Sequence, residues 1–439
     1  MPGPGACLRD TRRLDTAALA CAQAVEALAG PSALAVSPDG RNVYVAASES
    51  NAVVVLARRH GRGLAPPVHP TRRGCIQQSG GFNCASGSPG LAGADAVLAS
   101  PDGRNVYVGS ADAAAVVGFA RRSHGLLYPL RPARGKKKLR GASCVHGQEV
   151  VAGAAGKCTA TFAPLQRVGA LAISPDGRFI YALSSGNVSG ADTIVVLRRE
   201  RDGTLTPMPG CVASHTAGGR PRCPRLATGL RGASAIALSP DGRFAYVASA
   251  VSSAVSAFQV NRTSGELLPL QGAGACVAEP ALSPPLDVPG CAATAEGLGG
   301  ARTLVVSPDG ARVYVGGFDP GSLVVLGRDP QGGGLVAPPP SGATCLQAGT
   351  AAGCTVGFDQ LRGASAIALS RAGDRVFLAA QGADAALDLA LGGGLPTLPL
   401  SPFAHFGPLG GPQALALSPD GRNLYLASAA DDEVMALGT

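Results

Sequence analysis

An all-β fold is predicted by three observations on this chain. A motif of apolar strand, Ser-Pro-Asp-Gly turn and aromatic-bearing strand comes round seven times, at residues 34-48, 97-110, 171-185, 236-249, 304-317, 367-380 and 415-428. An aromatic falls seven residues after each motif serine: Tyr44, Tyr107, Tyr181, Tyr246, Tyr314, Phe377 and Tyr425. A cysteine falls sixteen residues before six of those serines: Cys21, Cys84, Cys158, Cys223, Cys291 and Cys354. A register this constant means one supersecondary unit used repeatedly. Seven units spaced 48 to 74 residues apart predict a seven-bladed β-propeller of four-stranded antiparallel blades with disulfide-closed inter-blade loops. A linear solenoid would need polar capping repeats, and none is visible.

The first copy shows how each element arises. Ala33 to Ser37 reads as the first strand. Pro38 is preset for the second turn position, and Gly40 can take the positive φ that the turn needs. Asn42 to Ala47 returns as the second strand, with Val43 and Val45 alternating against Asn42 and Tyr44. A polar loop, Ser48 to Asn51, precedes a third strand from Ala52 to Ala57. The turn over residues 58 to 63 then leads to a proline-containing fourth strand from Leu64, which suits an outer edge.

Composition agrees. The repeats run through all 439 residues without a linker, so 1-439 is expected to be one domain. Tryptophan is absent and aromatics make up only 4%, so the sheets must pack mostly through Val, Leu, Ile and Ala. No apolar run approaches the roughly 18 to 20 residues of a membrane span, and no transmembrane segment is expected. The twelve cysteines fall into six local pairs: Cys7/Cys21, Cys75/Cys84, Cys144/Cys158, Cys211/Cys223, Cys276/Cys291 and Cys345/Cys354. Zinc would need CxxC-type spacings, which no pair shows, so disulfides are expected. Each closes a short loop and contributes at most about 3 kcal/mol in the chain-entropy model. Such a pattern belongs in an oxidising compartment.

The N-terminus, Met1 to Ala6, has neither the basic nor the apolar region of a secretory signal. The last motif copy ends after a third strand, and Met1 to Ala6 can supply only a stub of a fourth. The expectation is that the natural start lies upstream, with a signal peptide and a closing strand. The seam would otherwise be held by little more than side-chain packing. The expected location is extracellular or the cell surface.

The Ser-Pro-Asp-Gly turns followed by Asn-Val-Tyr-Val-type strands resemble the YVTN-type and lactonase-like seven-bladed propellers of bacteria, over all seven repeats. The resemblance implies the fold. It leaves two activities open: a binding or scaffold module, or a lactone hydrolase or lyase acting at the channel mouth on the disulfide-loop side.

An enzyme of this kind needs ionisable groups converging on the channel, whereas the first strands offer mainly small aliphatic ones. The six histidines, His60, His69, His124, His146, His215 and His405, fall in loops or weak outer segments and read as solvated. Arg167, Arg231, Arg302 and Arg362 lie just ahead of first strands and are the candidate ligands for a carboxylate or phosphate. The motif aspartates, such as Asp39, Asp102, Asp241 and Asp420, read as turn residues rather than metal ligands. No P-loop, nucleophile elbow or HExxH is present, and no cofactor or metal is expected.

Arginines such as Arg41, Arg58, Arg104, Arg121 and Arg199 gather at the motif-turn end of the blades, within a formal net charge of +8. They read as a basic end that meets an acidic cell-envelope polymer, or as soluble turn residues offset by the motif aspartates. No aromatic platform interleaves them, so nucleic acid is not expected. The Lys136 to Lys138 run reads as solvated loop. The sequence thus points to a secreted monomeric binding or scaffold module whose partner is a protein or a cell-envelope polymer.

Overall fold

A computed structural model of the chain describes residues 7–11, 21, 23–59, 63–66, 74–79, 84, 87–131, 141–147, 158, 160–185, 192–214, 223–280, 291–337, 344–349, 354–356, 358–396, 401–402 and 410–439. Their strands form seven sheets, one per motif copy, and the protein is a seven-bladed β-propeller. Blades are numbered 1 to 7 in motif order. The chain divides into two compact units. Unit 1 holds Met1–Ser184, Leu197–Pro207 and Gln413–Thr439, and unit 2 holds Ser185–Val196 and Met208–Pro412.

Blade 1 shows the pattern. Its antiparallel strands are Pro31–Val36, Asn42–Ala47 and Ala52–Arg59. The motif turn satisfies its own backbone. Ser37 Oγ accepts from the Asn42 amide at 3.0 Å and donates to Asp39 Oδ1 at 2.6 Å. Asp39 Oδ1 accepts the Arg41 amide at 3.2 Å, and Gly40 takes φ 67°. In blade 6, where the motif degenerates, Ser370 donates instead to Asp374 at 2.5 Å.

The outer edge departs from the expected single fourth strand. In blade 1, Gly63–Ala65 pairs with the far end of the third strand and Cys75–Gln77 with its near end. Pro66, Pro67 and Pro70 lie between these halves, and proline cannot donate to a continuous ladder. In five blades a further short strand runs parallel to the cysteine strand, as Ala160–Thr161 does beside Cys144–His146. All six predicted disulfides are formed, and each ties a cysteine strand to the excursion that returns beside it.

The closing of blade 7 also corrects the expectation. Met1–Ala6 lies outside the described residues. The fourth strand is Cys7–Asp10, antiparallel to Glu433–Gly438 in the register Cys7↔Met435, Leu8↔Val434 and Arg9↔Glu433. Arg9 Nε also donates to Glu433 Oε1 at 2.5 Å. Backbone pairing, not side-chain packing alone, therefore closes this edge.

The motif aromatics are buried to 1% exposure or less, and the tyrosine hydroxyls do more than fill space. Tyr44 donates to the Gly125 carbonyl of blade 2 at 3.1 Å, and Tyr107 to Gly203 of blade 3 at 2.7 Å. Arginines at the ends of third strands complete the joint. Arg121 of blade 2 donates through Nε to Tyr44 (2.7 Å) and through Nη2 to Asp39 (2.7 Å) and Asn42 (2.9 Å) of blade 1. Arg199 repeats this on Tyr107, Asp102 and Asn105, and Arg58 binds Asp420 and Asn423. In unit 2, Arg328 donates to Tyr246 at 2.6 Å. These four arginines are only 2–12% exposed as side chains, so they are inter-blade clasps and not part of a solvated basic end. Burial alone would raise Asp39, but Ser37, Arg121 and the Arg41 amide outweigh it and hold the carboxyl below its usual range. Burial pushes the Tyr44 hydroxyl up to about 12, so it stays a neutral donor.

Candidate functional site

The starts of the first strands carry the most varied polar chemistry on an otherwise repetitive frame. Five residues before the motif serine stand, in blade order, Ser32, Asp95, Gly169, Ser234, Arg302, Ser365 and Gln413. A bulge falls here, as between Pro31 and Ala33, and frees a carbonyl of the second strand. The serines answer it. Ser32 lies 3.3 Å from the Ala46 carbonyl and 3.1 Å from that of Ala94 in the next blade. Ser234 and Ser365 bridge Ala248 to Ala301 and Ala379 to Pro412 in the same way. Where the serine is replaced, a carboxylate, a guanidinium, an amide or, at Gly169, no side chain stands at this position instead.

In unit 1, Asp95 borders Gly169, where an added side-chain carbon would lie 3.7 Å from Asp95 Oδ2. Arg167 is exposed and pairs with Asp112 at 3.2 Å. In unit 2, exposed Arg302 lies over the Phe318 ring at 4.7 Å. Arg362 pairs with Asp359 at 3.0 Å, both largely exposed. Arg231 is half-buried, and its amide donates to Ser252 Oγ at 3.1 Å. Arg167, Arg302 and Arg362 are thus each engaged by a local partner. Asp95 and Gln413 share the Arg302 position; a search for cations just ahead of first strands passes over them, although their fixed offset from the motif serine marks them.

A second feature of unit 2 was not singled out from the sequence, although Asp10 and Glu26 stand at the same offsets from their cysteine and motif serine. Glu279 follows the cysteine strand Cys276–Ala278, and Glu296 lies past the returning strand Ala293–Thr294, which runs parallel to it. Their carboxyls are hydrogen-bonded to each other, and the Gly299 amide donates to Glu279 Oε2 at 3.0 Å. Burial, then the bond to and charge of Glu296, push Glu279 up to about 7 against the pull of two backbone amides. Such a carboxyl can give or take a proton near neutrality.

Among the histidines, His60, His69, His215 and His405 lie outside the described residues. His124 sits in a turn with φ 61°, as expected. His146 instead ends a cysteine strand, with a ring nitrogen 3.1 Å from Thr161 Oγ1. Cys7, Cys21 and Glu433 lie close enough to hold a metal, but the sulfurs are disulfide-bonded and the carboxylate is paired with Arg9, so the donor set does not fit one. No described helix is long and apolar enough to cross a membrane.

No protein-family model and no curated protein matches this chain. Solved structures do. A periplasmic gluconolactonase of Pseudomonas aeruginosa is 16% identical with a TM-score of 0.55, covering 88% of this chain and 87% of its own. A putative 6-phosphogluconolactonase from Bacteroides uniformis is 16% identical with a TM-score of 0.50, covering 87% and 85%. The β-propeller domain of Myceliophteria thermophila Cps50 (Swd1) is 10% identical with a TM-score of 0.54, covering 94% and 98%. At these identities the likeness is one of fold: a seven-bladed propeller with gluconolactonase-like neighbours.

Proposed function

We propose that this chain is a secreted, YVTN-type, lactonase-like propeller of bacteria, one domain over residues 1-439, that acts without a cofactor as a monomeric binding or scaffold module. The observation that carries the reading is the set of cations at the starts of small-residue first strands: exposed Arg302 and Arg362 with half-buried Arg231 in unit 2, and exposed Arg167 in unit 1. The ion pairs that hold Arg167 and Arg362 are solvent-exposed, and such pairs contribute only about 0–1 kcal/mol. A ligand carboxylate or phosphate that binds a guanidinium through two oxygens can therefore displace Asp112 or Asp359 at little cost. Six disulfides support an extracellular or cell-surface location, where the ligand belongs to a protein or a cell-envelope polymer. Thermal-shift measurements against carboxylate- and phosphate-bearing fragments test this. Stabilisation that disappears in the Arg231→Ala/Arg362→Ala variant supports it, and no stabilisation by any fragment sinks it.

A second reading, a lactone hydrolase or lyase at the disulfide end, is favoured by the Glu279–Glu296 pair alone. Steady turnover of a sugar lactone that is lost in Glu279→Gln would replace the binding module with the enzyme.

A further inference from the structure

Four motif turns of unit 1 form a continuous arc. A side-chain carbon on Gly40 would lie 3.5 Å from Pro419 of blade 7, one on Gly103 would lie 3.9 Å from Pro38, and one on Gly177 would lie 3.4 Å from Pro101. Successive turns therefore touch in the order blade 7, 1, 2, 3. The residue after each turn glycine is an exposed arginine: Arg422, Arg41, Arg104 and Arg178.

The carboxylates that would neutralise this arc are committed elsewhere. Asp420, Asp39 and Asp102 are each bound at 2.7 Å by the buried clasp arginines Arg58, Arg121 and Arg199. Their Oδ1 atoms take the motif serine hydroxyl and the backbone N–H of the arc arginine, not its guanidinium. Among the described residues, none of the four arc arginines forms an ion pair, nor do exposed Arg59 and Arg122 beside them. Asp176 is the one motif aspartate of unit 1 without a clasp arginine. Like charges on touching turns repel, and a polyanion laid along them relieves that repulsion.

We propose that this arc docks a linear acidic polysaccharide. It is built from motif turns of unit 1, whereas Arg231 and Arg362 belong to unit 2, so the two sites stand or fall separately. A sugar polymer with regularly spaced carboxylates needs only a row of cations. Single-stranded nucleic acid also uses open aromatic faces for base stacking. The rings beside these arginines are already used: Arg178 covers Phe179, itself 1% exposed, at 5.3 Å, and Arg122 covers Tyr128 at 5.6 Å.

Binding of the full disulfide-bonded chain to immobilised polygalacturonate, measured over a salt series, tests the proposal. Binding is expected to weaken steeply as salt shortens the screening length from roughly 30 Å at 0.01 M to about 8 Å at 0.15 M. The quadruple variant Arg41→Gln/Arg104→Gln/Arg178→Gln/Arg422→Gln should bind at least about tenfold more weakly with a flatter salt dependence. It should also melt with the parent, because these side chains are exposed. Arg231→Ala/Arg362→Ala should bind as the parent does, which separates failure here from failure of the fragment-binding site. Three outcomes overturn the proposal: no binding at the lowest salt, equal binding by the quadruple variant, or single-stranded DNA binding more tightly than polygalacturonate.

Discussion

The seam between blades 1 and 2 and the seam between blades 5 and 6 are built from the same motif by opposite means. In the first, Arg121 clasps Asp39, Asn42 and Tyr44, Asn51 Oδ1 accepts the Gly93 amide at 2.6 Å, and Ser32 reaches the Ala94 carbonyl. In the second, all three places are changed. Leu391 stands for the arginine, Gly321 for the asparagine, and Arg302 for the serine. What remains is the Tyr314 hydroxyl on the Gly394 carbonyl at 2.6 Å, with Leu391 and Leu395 packed in one apolar cluster with Tyr314, Leu323 and Leu389. The backbones also approach closely, since a side-chain carbon on Gly321 would lie 2.6 Å from Arg362 Cα. A propeller seam can therefore be held by oriented ion pairs or by burial and close contact, without changing the blade.

The largest test is steric. Gly321 has φ 60° and no room for a side chain, so Gly321→Ala should cost about 3 kcal/mol or more in urea unfolding. At the matching place in blade 2, Ala114 already tolerates φ 46°, and Ala114→Gly should be near neutral. Equal costs at the two places would break the comparison. Next comes chemistry at matched volume. Arg121→Met should lose about 2–3 kcal/mol, because it strips charged hydrogen bonds from a buried site, whereas Leu391→Met should lose less than about 1 kcal/mol. If both lose the same, the seams do not differ in kind. Asn51→Ala should remove about 1 kcal/mol by leaving the Gly93 amide unanswered, and Asn51→Asp should restore most of it.

The seam between blades 4 and 5 sharpens the contrast through pH. Glu279 is raised from its ordinary 4.5 to about 7, so the folded state holds its proton over a range where the unfolded chain has lost it. Its contribution is full below pH 4.5 and is lost as pH climbs through 7. The melting temperature of Glu279→Gln minus that of the parent should therefore rise between about pH 5 and pH 8. A flat difference would mean that the two carboxyls do not share a proton.

Much of the fold was legible because repetition exposes it. The serine-to-aromatic offset fixed the second strand, and the serine-to-cysteine offset fixed the disulfides, as both reflect one backbone register. The split outer edge was not legible, because the prolines that interrupt it also suit a single edge strand. Cys7–Asp10 was overlooked as a closing strand because its cysteine marked it as loop. The clasp arginines were misjudged because blade topology gives the end at which a guanidinium stands and not whether it is buried. Their position offered a signal: Arg58, Arg121 and Arg328 each fall 21 residues after their motif serine, where Val260 and Leu391 fall in other copies. The Glu279–Glu296 contact depends on the path its excursion takes between the cysteine strand and the strand that returns beside it, which the motif register does not fix.

Each clasp is a plug and socket whose halves belong to different copies. Arg121 serves Asp39 of the preceding copy, while Asp102 in its own blade receives Arg199 of the next. Blades 1 and 2 thus carry both a plug and a filled socket. Losing either one, or duplicating it in tandem, would still present a guanidinium to a carboxylate at every new junction. Blade 6 is different: with Leu391 in place of the plug, a copy of it set after blade 1 would press an aliphatic side chain on Asp39. As far as the clasp goes, blades 1 and 2 are interchangeable parts, and gene duplication can change their number without leaving a socket empty.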